Sequence, residues 1–246
     1  MKNKIGIIGF GRFGQFMAKH LKKKADVIVT DEIDLRTKAK EFGVIFSSLD
    51  NVLRQRIIIL AVPMESLKEI LNKIKKKVLP GSLVLDVCSL KMFSAKLMKQ
   101  ILPKDVEIIG THPLFGPQSA PGSIAGMKIA LCDINAKKNT MAKVKIFCEN
   151  LGLKVFTTTP EEHDRQMAVS QALTHFIGQV AKKMNLKRVE LSTKTFDDLM
   201  NIIDIIKNDT PALFENMQSM NPFAKETREK FISESIKLNK KLRRGN

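Results

Sequence analysis

Two side chains have the type and placement for proton chemistry. His112 stands between an apolar run, Val106 to Gly110, and a loop rich in proline and glycine. Ser89 follows an earlier apolar run, Ser82 to Asp86. Open α/β sheets bind ligands outside the carboxyl ends of their strands, so two successive strand ends would offer a hydroxyl and an imidazole to one crevice. An imidazole there exchanges a proton near neutral pH, and a hydroxyl orients it. Each residue also has a plainer reading, His112 as an ordinary loop histidine and Ser89 as the N-cap of the next helix. The pairing says more than either residue alone.

A third group would hold a cofactor. Gly9-Phe10-Gly11-Arg12-Phe13-Gly14 has the spacing GxGxxG. It follows the short apolar strand that begins at Lys4 and precedes a helix with Phe13, Phe16, Met17 and Leu21 on one side. Gly9 permits the tight turn, Gly11 lets the backbone approach a pyrophosphate on the helix N-terminus, and Gly14 allows close helix-strand packing. The next strand, Val27 to Thr30, ends in Asp31. That places a carboxylate roughly 20 residues on, where it accepts the ribose hydroxyls. Asp31 and Glu32 would repel a 2′-phosphate, favouring NAD over NADP, while Arg36 and Lys38 nearby pull the other way.

The elements that must position these groups alternate as α/β. A helix over Thr37 to Phe42 leads to a strand near Val44 to Phe46, and then to the apolar strand Arg56 to Pro63. Val62 and Pro63, at its end, are read either as cofactor contacts or as plain core and turn. A helix from Met64 to Lys77 precedes the strand that ends in Asp86-Val87-Cys88-Ser89. The strand Glu107 to Thr111 delivers His112. A strand at Lys128 to Cys132, a helix from Ala136 to about Leu151 and a strand at Lys154 to Thr157 complete the pattern. The expected architecture is a doubly wound, mainly parallel Rossmann domain over residues 1–158, with an all-α domain over 159–246.

The second half opens on a helix start. Thr159 is the N-cap, Pro160 the first helical residue, and Glu162 completes a capping box. One helix should run to about Met184. His163, Met167, Gln171 and His175 recur along it every four residues, giving a stripe poor in charge that suits a cleft or partner. Phe196 to Lys207, Pro211 to Met220 and Ala224 to Leu242 read as further helices. Their apolar faces predict a homodimer through the C-terminal helices. The basic stretch Lys240 to Arg244 reads as a solvated end.

The bulk composition restricts the partners. The net charge of +17 raises the question of nucleic acid, but the lysines are scattered and Trp and Tyr are absent, so no basic-aromatic interleaving appears. A general positive field suits a small anionic substrate instead. Three cysteines without a CxxC pair argue against disulfides or zinc and fit a reducing, cytoplasmic setting. No apolar run approaches the ~20 residues of a membrane span, and no metal is expected.

With these residues placed, the chain resembles the prephenate and arogenate dehydrogenases of tyrosine biosynthesis, and most of all the short plant-type arogenate dehydrogenases. The matching residues are Gly9-x-Gly11-x-x-Gly14, Asp86-Val-x-Ser89-x-Lys91, Thr111-His112-Pro113-x-Phe115-Gly116-Pro117, Glu162-His163-Asp164 and Ser170-Gln171-Ala172-x-Thr174-His175. The resemblance implies oxidative decarboxylation of a cyclohexadienyl substrate with hydride transfer to NAD⁺. His112, as the neutral imidazole, would accept the C4 hydroxyl proton, and Ser89 would orient that hydroxyl or the imidazole. It also implies substrate contacts at Ser89, Lys91, Gln171, Thr174 and His175, and at Thr193, Lys194 and Asp209. Some relatives carry an arginine where this chain has Thr174. Another group would then hold the ring carboxylate: Lys194, Lys91, Gln171 or a residue of a second subunit. Asp209 favours arogenate, whose side chain carries an ammonium. Two other readings stand beside this one. A β-hydroxyacid-type dehydrogenase shares the glycine turn, but it uses a helical-domain lysine and lacks the THPxFGP loop. A non-enzymatic NAD-sensing or nucleic-acid-binding module would account for the charge.

Overall fold

A computed structural model describes residues 3–207 and 209–243. The chain divides into two compact units, Met1–Pro160 and Glu161–Asn246, so the break falls two residues beyond the boundary drawn from sequence.

The first unit is an eight-stranded sheet in the order β3-β2-β1-β4-β5-β6-β7-β8. Strands β1 (Asn3–Ile8), β2 (Ala25–Thr30), β4 (Ile57–Leu60) and β5 (Leu83–Asp86) are short and apolar because helices cover both faces of a parallel sheet. Ile7, Ile58, Leu60 and Val84 are fully enclosed, each contributing about 1.5–3 kcal/mol of burial. The chain runs outward from β1 to β2 and β3 (Ile45–Phe46), then returns to β4 on the other side of β1. That reversal makes the topological switch point where such sheets bind ligands. A short helix over Leu49–Leu53, capped by Ser48, lies on the way back and had no clear periodic signal in the sequence.

The sheet departs from parallel at one place. β6 (Glu107–Pro113) is parallel to β5, but β7 (Lys128–Asn135) is antiparallel to β6. A parallel return needs a crossover, usually helical, and residues 114–127 form no helix, so the chain turns straight back. β8 (Lys154–Thr158) is again parallel to β7 through the helix Lys138–Asn150.

The second unit is helical, and its first helix differs from expectation. The continuous helix read over Thr159 to Met184 is broken by a π-helical stretch, Ala168–Leu173, between α-helices Pro160–Met167 and Thr174–Lys183. Its i→i+5 turns are wider than 3.6 residues. On a plain α-helix, three steps of four residues drift by about 120°, so the wide turns offset part of that drift between His163 and His175. They also disturb the hydrogen-bond ladder, and Gln218 Nε2 donates to the Ala172 carbonyl at 2.7 Å. Three helices follow, Lys194–Ile206, Pro211–Ser219 and Ala224–Arg243. Of the basic end, Arg244 lies outside the described residues. No described helix is long and apolar enough to cross a membrane.

The cysteines make a simple check on this core. Cys88, Cys132 and Cys148 are free and buried. Burial raises the Cys88 thiol far above its ordinary pKa, with Asp86 adding to the effect. Burial, with Glu149, pushes Cys148 up to about 12. The thiolate is the reactive form. Iodoacetamide at pH 8 should therefore leave the native protein unmodified and label all three cysteines after denaturation, read by intact mass. Rapid labelling of the native protein would contradict this packing.

Candidate functional site

The glycine turn between β1 and the helix Arg12–Leu21 is shaped by its backbone. Gly9 has φ +98°, and a Cβ there would lie 2.4 Å from the Ala61 carbonyl and 3.1 Å from Val62 Cγ1. A Cβ on Gly14 would lie 2.1 Å from the Gly9 carbonyl. These two glycines are required by the protein's own packing. Gly11 is not, because a Cβ there meets nothing within 4 Å. Gly11 is also the N-cap of its helix, without a side-chain cap and with no acidic residue in the first turn. Open space, uncapped N–H groups and the positive end of a helix dipole together fit a pyrophosphate.

The side chains of this turn divide. Phe10 is fully buried, edge-on to Phe42, and Phe13 packs into the core beside Phe16. Both rings are thus taken up by packing, and main chain is what these two positions present at the turn, the Phe10 N–H being already engaged by Asp31. Arg12 is exposed at the first helical position. Asp31 ends beside the turn, its Oδ2 accepting from Phe10 N at 2.6 Å and its Oδ1 from Ile33 N at 3.1 Å. Val62 abuts Gly9, and Pro63 is an exposed helix cap. The nearby cations have partners: Arg36 lies 3.5 Å from Asp34, and Lys38 lies 2.9 Å from Glu41.

His112 and Ser89 emerge from adjacent strands on the same edge. The ends of β1, β4 and β5 are level, since Ile8 pairs with Leu60 and Leu60 with Asp86, while β6, paired with Asp86 at Gly110, runs three residues further to Pro113. His112 lies within β6, opposite Ala130 of β7, and is 6% exposed. It is therefore held by strand pairing, because β6 runs two residues beyond the end at Thr111 expected from the sequence. Ser89 does not cap the following helix, Lys91–Ile101, whose N-cap is Leu90. Its hydroxyl oxygen is shut away from solvent and has no hydrogen-bond partner among the described residues. A buried hydroxyl without a partner is uncommon, and a bound ligand is one thing that satisfies it.

Lys91 requires a correction. It is fully buried, ion-paired to Asp86, and its Nζ donates to the Thr111 carbonyl at 2.7 Å. With its ammonium enclosed and engaged in this way, it is removed from the groups available to a substrate carboxylate. Asp86 and Thr111, neither of them expected among the site residues, complete this cluster. The available signal was an acid closing an apolar strand with a lysine five residues on.

In the helical unit, His163 and Asp164 form a buried pair at 2.7 Å, and Asn221 Nδ2 donates to the Asp164 carbonyl at 2.8 Å. Part of the expected cleft stripe is thus interior: His163 and Met167 are buried, while Gln171, Thr174 and His175 are half-buried. His175 Nδ1 lies 3.1 Å from Asp209 Oδ2, without hydrogen-bond alignment. Thr193 caps its helix by accepting from Phe196 N at 3.2 Å, so its position has a local structural cause. Lys194 is exposed and pairs with Asp198. No cluster of potential metal ligands occurs among the described residues.

Residues 17–157 match the family model of the prephenate dehydrogenase nucleotide-binding domain. Residues 180–246 match a TYRAAT1-like C-terminal domain. Over 94% of its length the chain is 33% identical to a probable arogenate/prephenate dehydrogenase of Methanocaldococcus jannaschii, and over 93% it is 30% identical to the chloroplastic arogenate dehydrogenase 1 of Arabidopsis thaliana. It spans 54% and 37% of those two relatives' lengths. Among solved structures, prephenate dehydrogenase from Aquifex aeolicus superposes with a TM-score of 0.80 at 22% identity, covering 100% of this chain and 93% of that one. The likeness extends the fold across both units.

Proposed function

The chain belongs to the prephenate/arogenate dehydrogenase family, and on that premise we propose that it oxidatively decarboxylates arogenate, with prephenate as the lesser substrate, using NAD⁺. The observation that carries the reading is that His112 and Ser89 both lie just past the last β5–β6 rung, on the carboxyl edge of the sheet where β1 leads into the glycine turn. Gly9, Gly11, Gly14 and Asp31 would hold the dinucleotide, and its nicotinamide supplies the hydride acceptor. His112 accepts the C4 hydroxyl proton as the C4 carbonyl forms. The Ser89 hydroxyl, lacking a hydrogen-bond partner among the described residues, is suited to orient that oxygen. The ring carboxylate then leaves as CO₂, and its bonding electrons complete an aromatic ring. One positioned base contributes typically ~10²–10⁴-fold.

NAD is favoured over NADP because Asp31 lies at the turn and both Arg36 and Lys38 are paired to acids. Arogenate is favoured by Asp209, whose carboxylate would attract an ammonium and repel a keto-acid. Exposed apolar side chains on the last helix, including Phe231, Ile236 and Leu238, support a homodimer.

The test is initial rates of NADH or NADPH formation with both substrates and both cofactors. Arogenate with NAD⁺ should be fastest. Asp209→Asn should lower kcat/KM for arogenate by about ten- to a hundredfold relative to prephenate, the value of a charge-assisted hydrogen bond. No reduction of either cofactor with either substrate would overturn the reading.

A further inference from the structure

We propose that Asp86 and Lys91 form a side-chain rung that replaces β5 where that strand leaves the sheet, and so positions His112. The inference rests on the role of His112 given above.

β5 stops at Asp86, while β6 continues to Pro113. Their last paired rung is Asp86 with Gly110. The next residue of β6, Thr111, still presents an N–H and a carbonyl to the side that β5 has vacated. Its N–H donates to Asp86 Oδ1 at 3.2 Å, and its carbonyl accepts from Lys91 Nζ at 2.7 Å. Its hydroxyl donates to the Asp86 carbonyl at 2.5 Å. Two side chains thus do what another residue of strand would have done. Asp86 Oδ2 also accepts from Cys88 N at 3.1 Å, turning the main chain away toward Ser89. The rung therefore spans the point where the strand carrying His112 and the turn carrying Ser89 part company.

Stability alone does not account for this choice. Asp86 and Lys91 are both fully enclosed, and replacing a buried ion pair by apolar residues of similar size is often neutral or stabilising. Apolar residues, however, could not satisfy the main chain of Thr111. Gly110 makes room for the arrangement, since a Cβ there would lie 3.3 Å from Lys91 Cδ. The Thr111–His112 peptide is held on one side by Lys91, while on the other side β6 pairs with β7. Misplacement of a reacting group by ~1 Å can lower a rate by ~10²-fold.

The test compares two uncharged pairs, Asp86→Asn/Lys91→Met and Asp86→Asn/Lys91→Gln. The two replacements at position 91 are similar in length, but only glutamine can donate to the Thr111 carbonyl. The methionine pair should lose about 10–100-fold in kcat, with NAD⁺ affinity within about twofold of the parent protein. The glutamine pair should recover at least about tenfold of that loss. Equal kcat in the two pairs, or losses that follow thermal stability and NAD⁺ affinity, would overturn the proposal. Hydrogen exchange on the unsubstituted protein supplies an arm that needs no variant to fold and no turnover. The Thr111 amide should exchange as slowly as the ladder amide of Ile109, and exchange at the rate of the 114–127 loop would also overturn it. If the unsubstituted protein reduces no cofactor, the proposed activity fails while the exchange result still decides whether the rung exists.

Discussion

Replacing His112 by asparagine is expected to lower kcat by about 10³-fold, within the usual range for a general base, while NAD⁺ binding and thermal stability stay close to those of the parent protein. The separation follows from where the residue sits. β6 is held to its neighbours by backbone hydrogen bonds, which do not depend on the side chain at position 112. Asparagine retains a polar, hydrogen-bonding side chain but has no nitrogen that accepts a proton near neutral pH. The glycine turn and Asp31 belong to β1 and β2, so the proposed dinucleotide contacts remain. Single-turnover reduction of NAD⁺ with saturating arogenate gives the chemical step directly. Near-normal turnover in this variant would remove His112 from the role of base. A comparable fall in NAD⁺ affinity would instead make it a structural or cofactor residue.

The parts of the molecule that could be read from sequence are those fixed by local pattern. Apolar runs four to seven residues long, punctuated by glycine, proline or an acid, marked the strands ending near Ile8, Thr30, Leu60, Asp86 and Thr111. The helices between them then imposed a parallel sheet with its crevice at the carboxyl edge. The GxGxxG turn is local too, since Gly9 and Gly14 answer to contacts with Ala61 and with each other. What escaped depends on partners distant in sequence. Lys91 has the look of a substrate cation until Thr111 places a carbonyl against it across the sheet. The wide turns at Ala168–Leu173 have no composition of their own, and Gln218 meets one of their carbonyls from 46 residues away. The reversal at β7 lay within reach. Residues 114–127 contain Pro117, Pro121 and three glycines but no helical period, and a parallel return over that interval would have required a crossover.

The three glycines of the turn should respond to alanine in opposite directions. Gly14→Ala places a methyl carbon 2.1 Å from the Gly9 carbonyl, and Gly9→Ala places one 2.4 Å from the Ala61 carbonyl at a φ of +98°. Both groups are main chain just past the ends of the adjacent strands β1 and β4, and they cannot swing aside. Each substitution should cost about 3 kcal/mol or more, in the range of overpacked and strained sites, with NAD⁺ binding lost because the turn itself is displaced. Gly11→Ala differs. Its methyl meets no protein atom within 4 Å, and its φ of −67° suits any L residue. Alanine there reduces the freedom of the unfolded chain, which is worth about 0.4–1 kcal/mol in favour of the folded state where the geometry is compatible. The melting temperature of apo Gly11→Ala should therefore equal or slightly exceed that of the parent. NAD⁺ affinity should nevertheless fall at least about tenfold, because the methyl occupies the space through which the backbone approaches the pyrophosphate. Thermal melts with and without NAD⁺ read both effects in one experiment: the parent is raised by the ligand, whereas Gly11→Ala starts as high or higher and gains little. An unchanged NAD⁺ shift in Gly11→Ala would mean that the dinucleotide does not lie against this turn.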